Sequence, residues 1–154
     1  KNPMMKVAVG LGVPEFSLVF VELQSKETSV VKMKGHQAEI SGVVVIGNGE
    51  YASCDLAGFV HLWSEPRNTR IATIQAHQCA INGIGVLGGR LLVTGSDDST
   101  LKVYDISQRE LKHKHTLIEK AAVKLVTPFH GNAKYALSCL VSGVVRIWNV
   151  DDGE

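Results

Sequence analysis

The stretch TGSDDSTLKVYD, residues 94 to 105, places a polar turn directly before a regular alternation of apolar and polar side chains. The turn combines aspartates and hydroxyl side chains with a glycine, after which Leu, Lys, Val and Tyr follow one another. An alternation of period two is typical of a strand that buries one face. The stretch therefore predicts two strands joined by a tight turn, whose acidic and hydroxyl groups need an explanation.

This pattern belongs to a unit that occurs three times along the chain. Residues 75–104 align without a gap with residues 34–63, which begin 41 positions earlier. A third copy spans residues 119–148 and begins 44 positions after the second, because the connection before it is longer. Self-similarity at such a period indicates a repeat architecture in which each unit packs against its neighbours.

Each unit has the pattern of several short strands. Glycine-rich turns interrupt the alternation at 47–49, 88–89 and 130–132, and such turns suit hairpins between antiparallel strands. The middle copy offers four strands in succession, INGIGVL, RLLVTGS, TLKVYDI and KHKHTLI. Four strands in about 40 residues is typical of a propeller blade, and the chain has no long helical period to compete with it.

With this pattern the chain resembles the WD-repeat family of β-propellers. The resemblance rests on Gly35-His36 and Ala76-His77 at the starts of units, and on Trp63-Ser64, Tyr104-Asp105 and Trp148-Asn149 at the ends of third strands. It covers about residues 34 to 150, although no copy has the literal Trp-Asp pair. The resemblance implies an all-β fold, a partial ring of four-stranded antiparallel blades.

The resemblance also implies how one propeller domain is divided. Residues 1–34 supply the last three strands of a preceding blade, 35–75 and 76–119 form full blades, and 120–154 supply three strands of a final blade. This total is about half of a seven-bladed propeller, and we expect the chain to be its C-terminal half. Lys1 in place of an initiating Met indicates a piece of a longer protein or a processed chain.

Incomplete rings leave apolar faces and strand edges bare. We therefore expect the remaining blades of the propeller as a partner. They would come from another segment of the longer protein or, as the alternative, from a second copy of the chain.

Family members hold each blade with a hydrogen-bonded clamp. An acid in the turn between the second and third strands contacts a histidine in the loop that enters the blade, the histidine contacts a hydroxyl of the second strand, and the hydroxyl contacts the tryptophan of the third. By position the members of the middle copy are Asp98, His77, Thr94 and Tyr104. The resemblance thus explains the polar turn as a buried clamp in which each polar group has a partner.

The other two copies keep only parts of this set. The first full copy has His36, Ser53 and Trp63, and the last has Ser138 and Trp148. The first full copy carries Ala57 at the position of the acid, and the last carries Ala121 and Ser142 at the positions of the histidine and the acid. We expect these two blades to rely more on apolar packing.

A hydroxyl, an imidazole and a carboxylate in contact also describe a catalytic triad. For Thr94, His77 and Asp98 to act in that way, they would need an exposed nucleophile, an oxyanion hole and a substrate cleft. Partial copies at a fixed spacing favour the structural clamp, because an active site does not leave partial copies of itself along a chain. We therefore predict no enzymatic activity and no cofactor.

Histidines and cysteines give weaker signals. His113 and His115 would place two imidazoles on one side of a strand, but the sequence offers no third ligand, so we predict no metal site. The three cysteines Cys54, Cys79 and Cys139 form no close pair, and no signal peptide opens the chain. A reducing compartment is therefore expected, the cytoplasm or alternatively the nucleus.

The composition excludes several classes of partner. The chain has 154 residues, 45% of them hydrophobic and 20% charged, with a formal net charge of +1, as in a globular domain. Acids and bases are interspersed, so nucleic acid and an anionic membrane surface are not expected partners. No apolar run approaches the roughly 18 residues that a membrane-spanning helix needs.

The resemblance implies a non-catalytic scaffold for protein-protein interaction, since the family mostly serves as a platform for assembling other proteins or peptides. Family members bind partners on the face that carries the entering loops and the turns between second and third strands. By position this face holds Glu39, Ser41, Leu56, Ala80, Asn82, Asp97, Lys124 and Val141. Several of these side chains would alternatively do no more than close the central channel.

Two other readings concern enzymes. In the first, the chain is a substrate-recognition or regulatory propeller of a larger enzyme, such as a kinase or a ubiquitin ligase. In the second, it is a hydrolase or lyase propeller, which requires convergent His and acidic residues along the channel. The sequence shows no such cluster.

Overall fold

The part of the protein that the structure describes is all β, with fourteen strands in four antiparallel sheets. The computed structural model describes residues 5–10, 17–23, 28–64, 67, 69–129 and 132–154, with side chains from residue 34 onward. No helix occurs within these ranges, and none is therefore long and apolar enough to cross a membrane. The all-β prediction is confirmed.

Consecutive strands pair within each sheet, and the sheets follow one another along the chain. Blade 1 contains β1 (Met5–Gly10), β2 (Ser17–Leu23) and β3 (Thr28–Lys34). Blade 2 contains β4 (Ile40–Gly47), β5 (Glu50–Asp55), β6 (Phe59–Ser64) and β7 (Thr69–Gln75). Blade 3 contains β8 (Ile81–Leu87), β9 (Leu91–Ser96), β10 (Thr100–Asp105) and β11 (Lys112–Ile118). Blade 4 contains β12 (Val123–Pro128), β13 (Tyr135–Leu140) and β14 (Val145–Asn149).

The first strands of neighbouring blades lie side by side, with β8 in contact with both β4 and β12. Second strands also contact the first strand of the next blade, as β5 does with β8 and β9 with β12. Strand β1 makes the same kind of contact with β4. Strand β1 therefore lies against β4 as a second strand lies against the first strand of the next blade. The residue boundaries that the sequence gives for the blades stay a prediction.

Glycines permit the close approach of neighbouring blades. A side chain on Gly83 of β8 would collide with the backbone nitrogen of Val126 in β12. Gly58, in the turn after β5, has φ +88°, and a side chain there would collide with the carbonyl oxygen of His77. Glycine is required at Gly58 both by the left-handed backbone and by the space available.

Apolar clusters fill the spaces between adjacent blades. Between blades 2 and 3 lie Ala52, Cys54, Val60, Leu62, Ile81, Ile84 and Leu92. Between blades 3 and 4 lie Val93, Leu101, Val103, Val123, Val126 and Ala136. Burial raises the pKa of Cys54 to about 12, so this thiol is an inert packing group. The core is therefore formed between blades as well as within each sheet.

Blade 4 presents an apolar face to solvent. Strand pairing places Leu125, Leu137, Cys139, Val145 and Ile147 on this face, which we call the open face. Val145 and Ile147 are each 61% exposed. Their counterparts in blade 3, Leu101 and Val103, have 0% exposure because blade 4 covers them. The open face therefore has the character of a surface that packs against another blade.

We expect the 154-residue chain to associate through the open face, because exposed apolar area of this kind is removed from water by a second sheet. The double substitution Val145→Lys and Ile147→Lys should shift the native mass towards the monomer, as measured by light scattering after size exclusion. Ile118→Lys, at a residue that is 76% exposed on the outer strand of blade 3, is the matched control. A monomeric mass for the unaltered chain would contradict the expectation.

Candidate functional site

The polar turn of blade 3 is part of a buried hydrogen-bond network. Nδ1 of His77 lies 2.8 Å from Oδ2 of Asp98, and Nε2 lies 2.8 Å from Oγ1 of Thr94. Thr100 donates its hydroxyl proton to Oδ1 of Asp98 over 2.6 Å. A carboxylate only accepts hydrogen bonds, so His77 donates from Nδ1 and accepts from Thr94 at Nε2. The structure thus brings together Asp98, His77 and Thr94 as the resemblance implied.

The electrostatics of this network favour a neutral imidazole beside a carboxylate. Burial lowers the pKa of His77 and outweighs the opposing influence of Asp98. Burial alone would raise the pKa of Asp98, but hydrogen bonds from Thr100 and His77 outweigh it and lower the pKa. Thr94 is completely buried, so its hydroxyl is closed to a substrate. The network has the properties of a clamp.

Tyr104 differs from the expectation. The hydrogen bonds of the described residues include none between Thr94 and Tyr104. Tyr104 instead packs its ring into the cluster between blades 2 and 3, with the ring of His113 edge-on at 5.7 Å. A phenol carries its polar atom at the far end of the ring, whereas an indole carries its N–H at the side, where a second-strand hydroxyl can accept. Burial raises the pKa of Tyr104 to about 12.

Blade 2 has a complete clamp, against the expectation that it relies on apolar packing. Nδ1 of His36 lies 2.7 Å from Oδ2 of Asp55, and Nε2 lies 2.6 Å from Oγ of Ser53. Trp63 donates its indole N–H to Ser53 over 2.7 Å. Asp55 supplies the acid of this clamp. The alignment with blade 3 had placed the acid two residues later, at Ala57. The expectation was wrong because it considered a single aligned position.

Asp55 also fixes the turn that follows it. Its Oδ1 accepts hydrogen bonds from the backbone N–H groups of Ala57, at 3.0 Å, and Phe59, at 2.9 Å. Burial alone would raise the pKa of Asp55, but hydrogen bonds from His36 and the backbone lower it. One carboxylate thus holds the turn and the entering loop together.

Blade 4 replaces the histidine by a glutamate. Oε1 of Glu119 accepts the hydroxyl proton of Ser138 over 2.7 Å, and the indole N–H of Trp148 lies within reach of both residues. Oε2 of Glu119 lies 3.2 Å from a guanidinium nitrogen of Arg146. The two groups form an ion pair, but they are not aligned for a hydrogen bond. The Glu119 side chain is completely buried. This blade therefore also has a polar clamp, where the sequence predicted more reliance on apolar packing.

A simple signal connects both missed acids. Asp55 stands two positions before Ala57, and Glu119 stands two positions before Ala121. Ala57 lies in the turn after β5, and Glu119 and Ala121 lie in the bent segment before β12, so the backbone at both places is irregular and brings an acid two positions away to the same contact. An acid displaced by two residues can therefore reach the same partner.

The predicted partner-binding residues lie at or just before the starts of first strands and in the turns after second strands. In blades 2, 3 and 4, a backbone hydrogen bond joins the turn after the second strand to the loop entering the same blade, from Leu56 to Glu39, from Asp97 to Ala80 and from Val141 to Ala122. Leu56 is 43% exposed and Val141 is 53% exposed. We call this the loop face, defined by Glu39, Ser41, Leu56, Ala80, Asn82, Asp97, Lys124 and Val141.

Polar contacts cross from blade 3 to blade 4 on the loop face. Oδ1 of Asp97 accepts from the side-chain amide of Asn82 at 2.7 Å and pairs with the ammonium of Lys124 at 3.1 Å. Asn82 also donates to the carbonyl oxygen of Val123. Ser41 differs from these residues, because its hydroxyl contacts the buried thiol of Cys54. The loop face therefore combines exposed apolar side chains with a fixed polar bridge.

The two histidines of the outer strand do not converge. His113 bonds the hydroxyl of Thr116 at 2.8 Å, and His115 bonds the carbonyl oxygen of Asp151 at 3.0 Å. Among the described residues, one nitrogen or oxygen atom of each of His36, Asp55 and His61 lies within 4.8 Å of the others, and two of them form the hydrogen bond between His36 and Asp55. Sequence reasoning missed His61, which aligns with Lys102 and is not part of the clamp pattern.

Comparison with known families agrees with this architecture. Residues 68–105 match the family model described as WD domain, G-beta repeat. The match and the antiparallel four-stranded sheets together confirm the resemblance, and the fold is that of a partial WD-repeat propeller. No curated protein matches the chain with significant similarity. WD-repeat domains serve in general as modules for protein-protein interaction.

Asp98→Ala should lower the free energy of unfolding by about 1 to 3 kcal/mol, because it removes the carboxylate acceptor of the buried His77 imidazole and leaves only the Thr100 hydroxyl at 3.2 Å. Asp55→Ala should have a similar effect in blade 2. The control is Asp97→Ala, at an exposed neighbour whose ion pair is worth roughly 0 to 1 kcal/mol. Urea unfolding measures all three, and equal losses for Asp98→Ala and Asp97→Ala would contradict the clamp.

The pKa of His77 also predicts a pH dependence. Folding holds this pKa below its ordinary value of 6.5, so the unfolded chain binds a proton that the folded chain does not. Stability should therefore decrease as the pH falls below 6.5, by at most about 1.4 kcal/mol per pH unit for this group. His77→Gln should show a smaller slope in urea unfolding between about pH 7 and pH 5. Equal slopes would show that His77 does not titrate differently on folding.

Proposed function

We propose that the chain is a non-catalytic scaffold that binds other proteins or peptides through the loop face. The observation that carries this proposal is the exposure of Leu56 and Val141 on backbone turns that are fixed by hydrogen bonds. Exposed apolar side chains on rigid turns bind with little loss of conformational entropy. Such positions are suited to be the anchors of an interface.

The polar bridge complements these apolar anchors. Asn82 and Lys124 hold the carboxylate of Asp97 in place, so a partner meets a polar group whose geometry is already set. Glu39 and Lys124 are exposed and add charges of opposite sign to the same face. A peptide with apolar side chains on either side of a polar segment matches this arrangement, because each part meets a surface of its own kind.

The open face provides a second surface in this proposal. It would receive the remaining blades of the propeller, which complete the disc that carries the loop face.

The three cysteines are all free, and this supports the proposal of a reducing cytoplasmic environment.

The double substitution Leu56→Asp and Val141→Asp is expected to remove bound partners from the full-length protein. The matched control is Ile118→Asp, at a residue that is equally apolar, 76% exposed and not among the residues that define the loop face. Quantitative mass spectrometry of affinity-purified complexes should show the same set of proteins lost from the double variant and retained by the control. Retention of every partner by the double variant would contradict the proposal.

A further inference from the structure

The third strand of blade 2 differs from that of blade 3 at one position. His61 stands where blade 3 has Lys102, as the pairing of each strand with its second strand shows. Lys102 donates to the carbonyl oxygen of Ala76 over 2.6 Å. In blade 2 the corresponding carbonyl oxygen, that of Gly35, accepts instead from Nη1 of Arg70 over 3.3 Å. An imidazole on the third strand and a guanidinium from the outer strand thus take the place of one lysine.

A pocket lies beside these two side chains. Its volume is about 160 Å³, several times the roughly 30 Å³ that one water molecule occupies in the liquid. Its described lining consists of Gly35, Gln37, Phe59, His61, Arg70 and Thr73. The space is too small for a drug-sized ligand and suits one functional group with a short stem.

Arg70 gives the pocket a positive charge. The described lining contains no acid, and Arg70 forms no ion pair with a described residue. The guanidinium lies against the entering loop, where a side chain on Gly35 would meet Nη1 of Arg70 at 2.6 Å. Glycine at this position therefore leaves room for the guanidinium. Its remaining N–H groups bond no described residue, and they are available to an anion.

Gln37 and His61 add polar groups without charge. The side chain of Gln37 is exposed and bonds no described residue, so its amide can donate into the pocket. Burial, together with the charges of His36 and Arg70, lowers the pKa of His61 to about 3, so this imidazole is neutral at pH 7. Its Nδ1 lies 2.7 Å from the hydroxyl of Thr73, whereas Nε2 bonds no described residue. When Thr73 donates to Nδ1, the ring carries its proton on Nε2.

Phe59 supplies an apolar wall. Its ring is nearly parallel to that of His61, with the centroids 6.4 Å apart and an angle of 13° between the planes. A methylene stem that packs on this ring is removed from water, while a carboxylate at its end meets the guanidinium. Phosphate groups are generally bound by clusters of arginines, and the described lining has one. The lining therefore favours a carboxylate over a phosphate.

The buried carboxylate of Asp55 opposes an anion, because one of its oxygens lies within 4.8 Å of a ring nitrogen of His61. Asp55 is not part of the described lining, and its charge is already compensated by hydrogen bonds from His36 and two backbone N–H groups. The anion is therefore expected on the side of Arg70.

We propose that this pocket binds a carboxylate on a short aliphatic stem. Arg70 pairs with the carboxylate, Gln37 and Nε2 of His61 donate to its oxygens, and Phe59 covers the stem. The group comes either from a glutamate side chain of a bound protein or from a small free carboxylic acid. The proposal does not rest on binding at the loop face, because none of the residues that define that face belongs to the described lining.

An NMR titration of the 154-residue chain with N-acetyl-glutamate N-methylamide, called capped glutamate, tests the proposal. We expect shifts at the backbone amides of Gln37, Phe59 and His61, with a dissociation constant of about 1 mM, as for a fragment of this size. Capped glutamine has the same shape without the charge and should bind at least about 10-fold more weakly. Propionate separates the two sources: affinity equal to that of capped glutamate indicates a free acid, and weaker affinity indicates a protein side chain.

Variants locate the site. Arg70→Gln should weaken the binding of capped glutamate at least about 10-fold, and Arg70→Lys should weaken it less, because an ammonium keeps the charge without the fork of a guanidinium. Arg67→Gln, at an exposed arginine outside the described lining, should leave the affinity unchanged. Circular dichroism of all three variants should match the parent, because the altered side chains are exposed.

Three results would overturn the proposal. The first is an absence of shifts in the parent chain, or equal affinity for capped glutamate and capped glutamine. The second is unchanged affinity in Arg70→Gln. The third is tighter binding of inorganic phosphate than of capped glutamate, which would assign the pocket to a different anion.

Discussion

A buried hydroxyl group on the second strand constrains the arrangement of blades 2, 3 and 4. Ser53, Thr94 and Ser138 have no exposure to solvent, and an unpaired buried hydroxyl would cost about 1 to 3 kcal/mol. A residue of the segment entering the blade must therefore lie over the sheet and complete the bonding. His36, His77 and Glu119 do this in the three blades. The requirement fixes the entering segment, and with it the turns that form the loop face.

Much of the fold could be predicted from the sequence, because the strands are short and their spacing repeats. The clamp of blade 3 could also be assigned by position. Its carboxylate, imidazole and hydroxyl belong to residues that stand where the family pattern has them, namely Asp98, His77 and Thr94. The acids of the other two blades could not be assigned in this way. A repeat conserves the geometry of a contact: Asp55 satisfies it from two residues before the position of the acid, and Glu119 satisfies it from two residues before the position of the histidine.

Other features depend on contacts between blades, which a local pattern does not contain. Burial of Tyr104 in the cluster shared with blade 2 explains why the ring packs instead of joining the clamp. The bridge from Asp97 to Lys124 spans two sheets and 27 positions of sequence. His61 meets His36 only because β6 and the segment before β4 are folded onto each other. Such contacts follow from the packing of sheets and become visible only in three dimensions.

The turn at Gly58 links the mechanics of two blades. Its carbonyl oxygen accepts the backbone N–H groups of Ala76 and His77, so the turn of blade 2 is tied to the segment that enters blade 3. Leu56 lies only two residues before this glycine. A force exerted on Leu56 would therefore reach the backbone of His77, the residue whose imidazole anchors the neighbouring blade. A force applied at the turn of blade 2 is thus shared with blade 3, which makes this part of the loop face resistant to the local separation of one blade from the next.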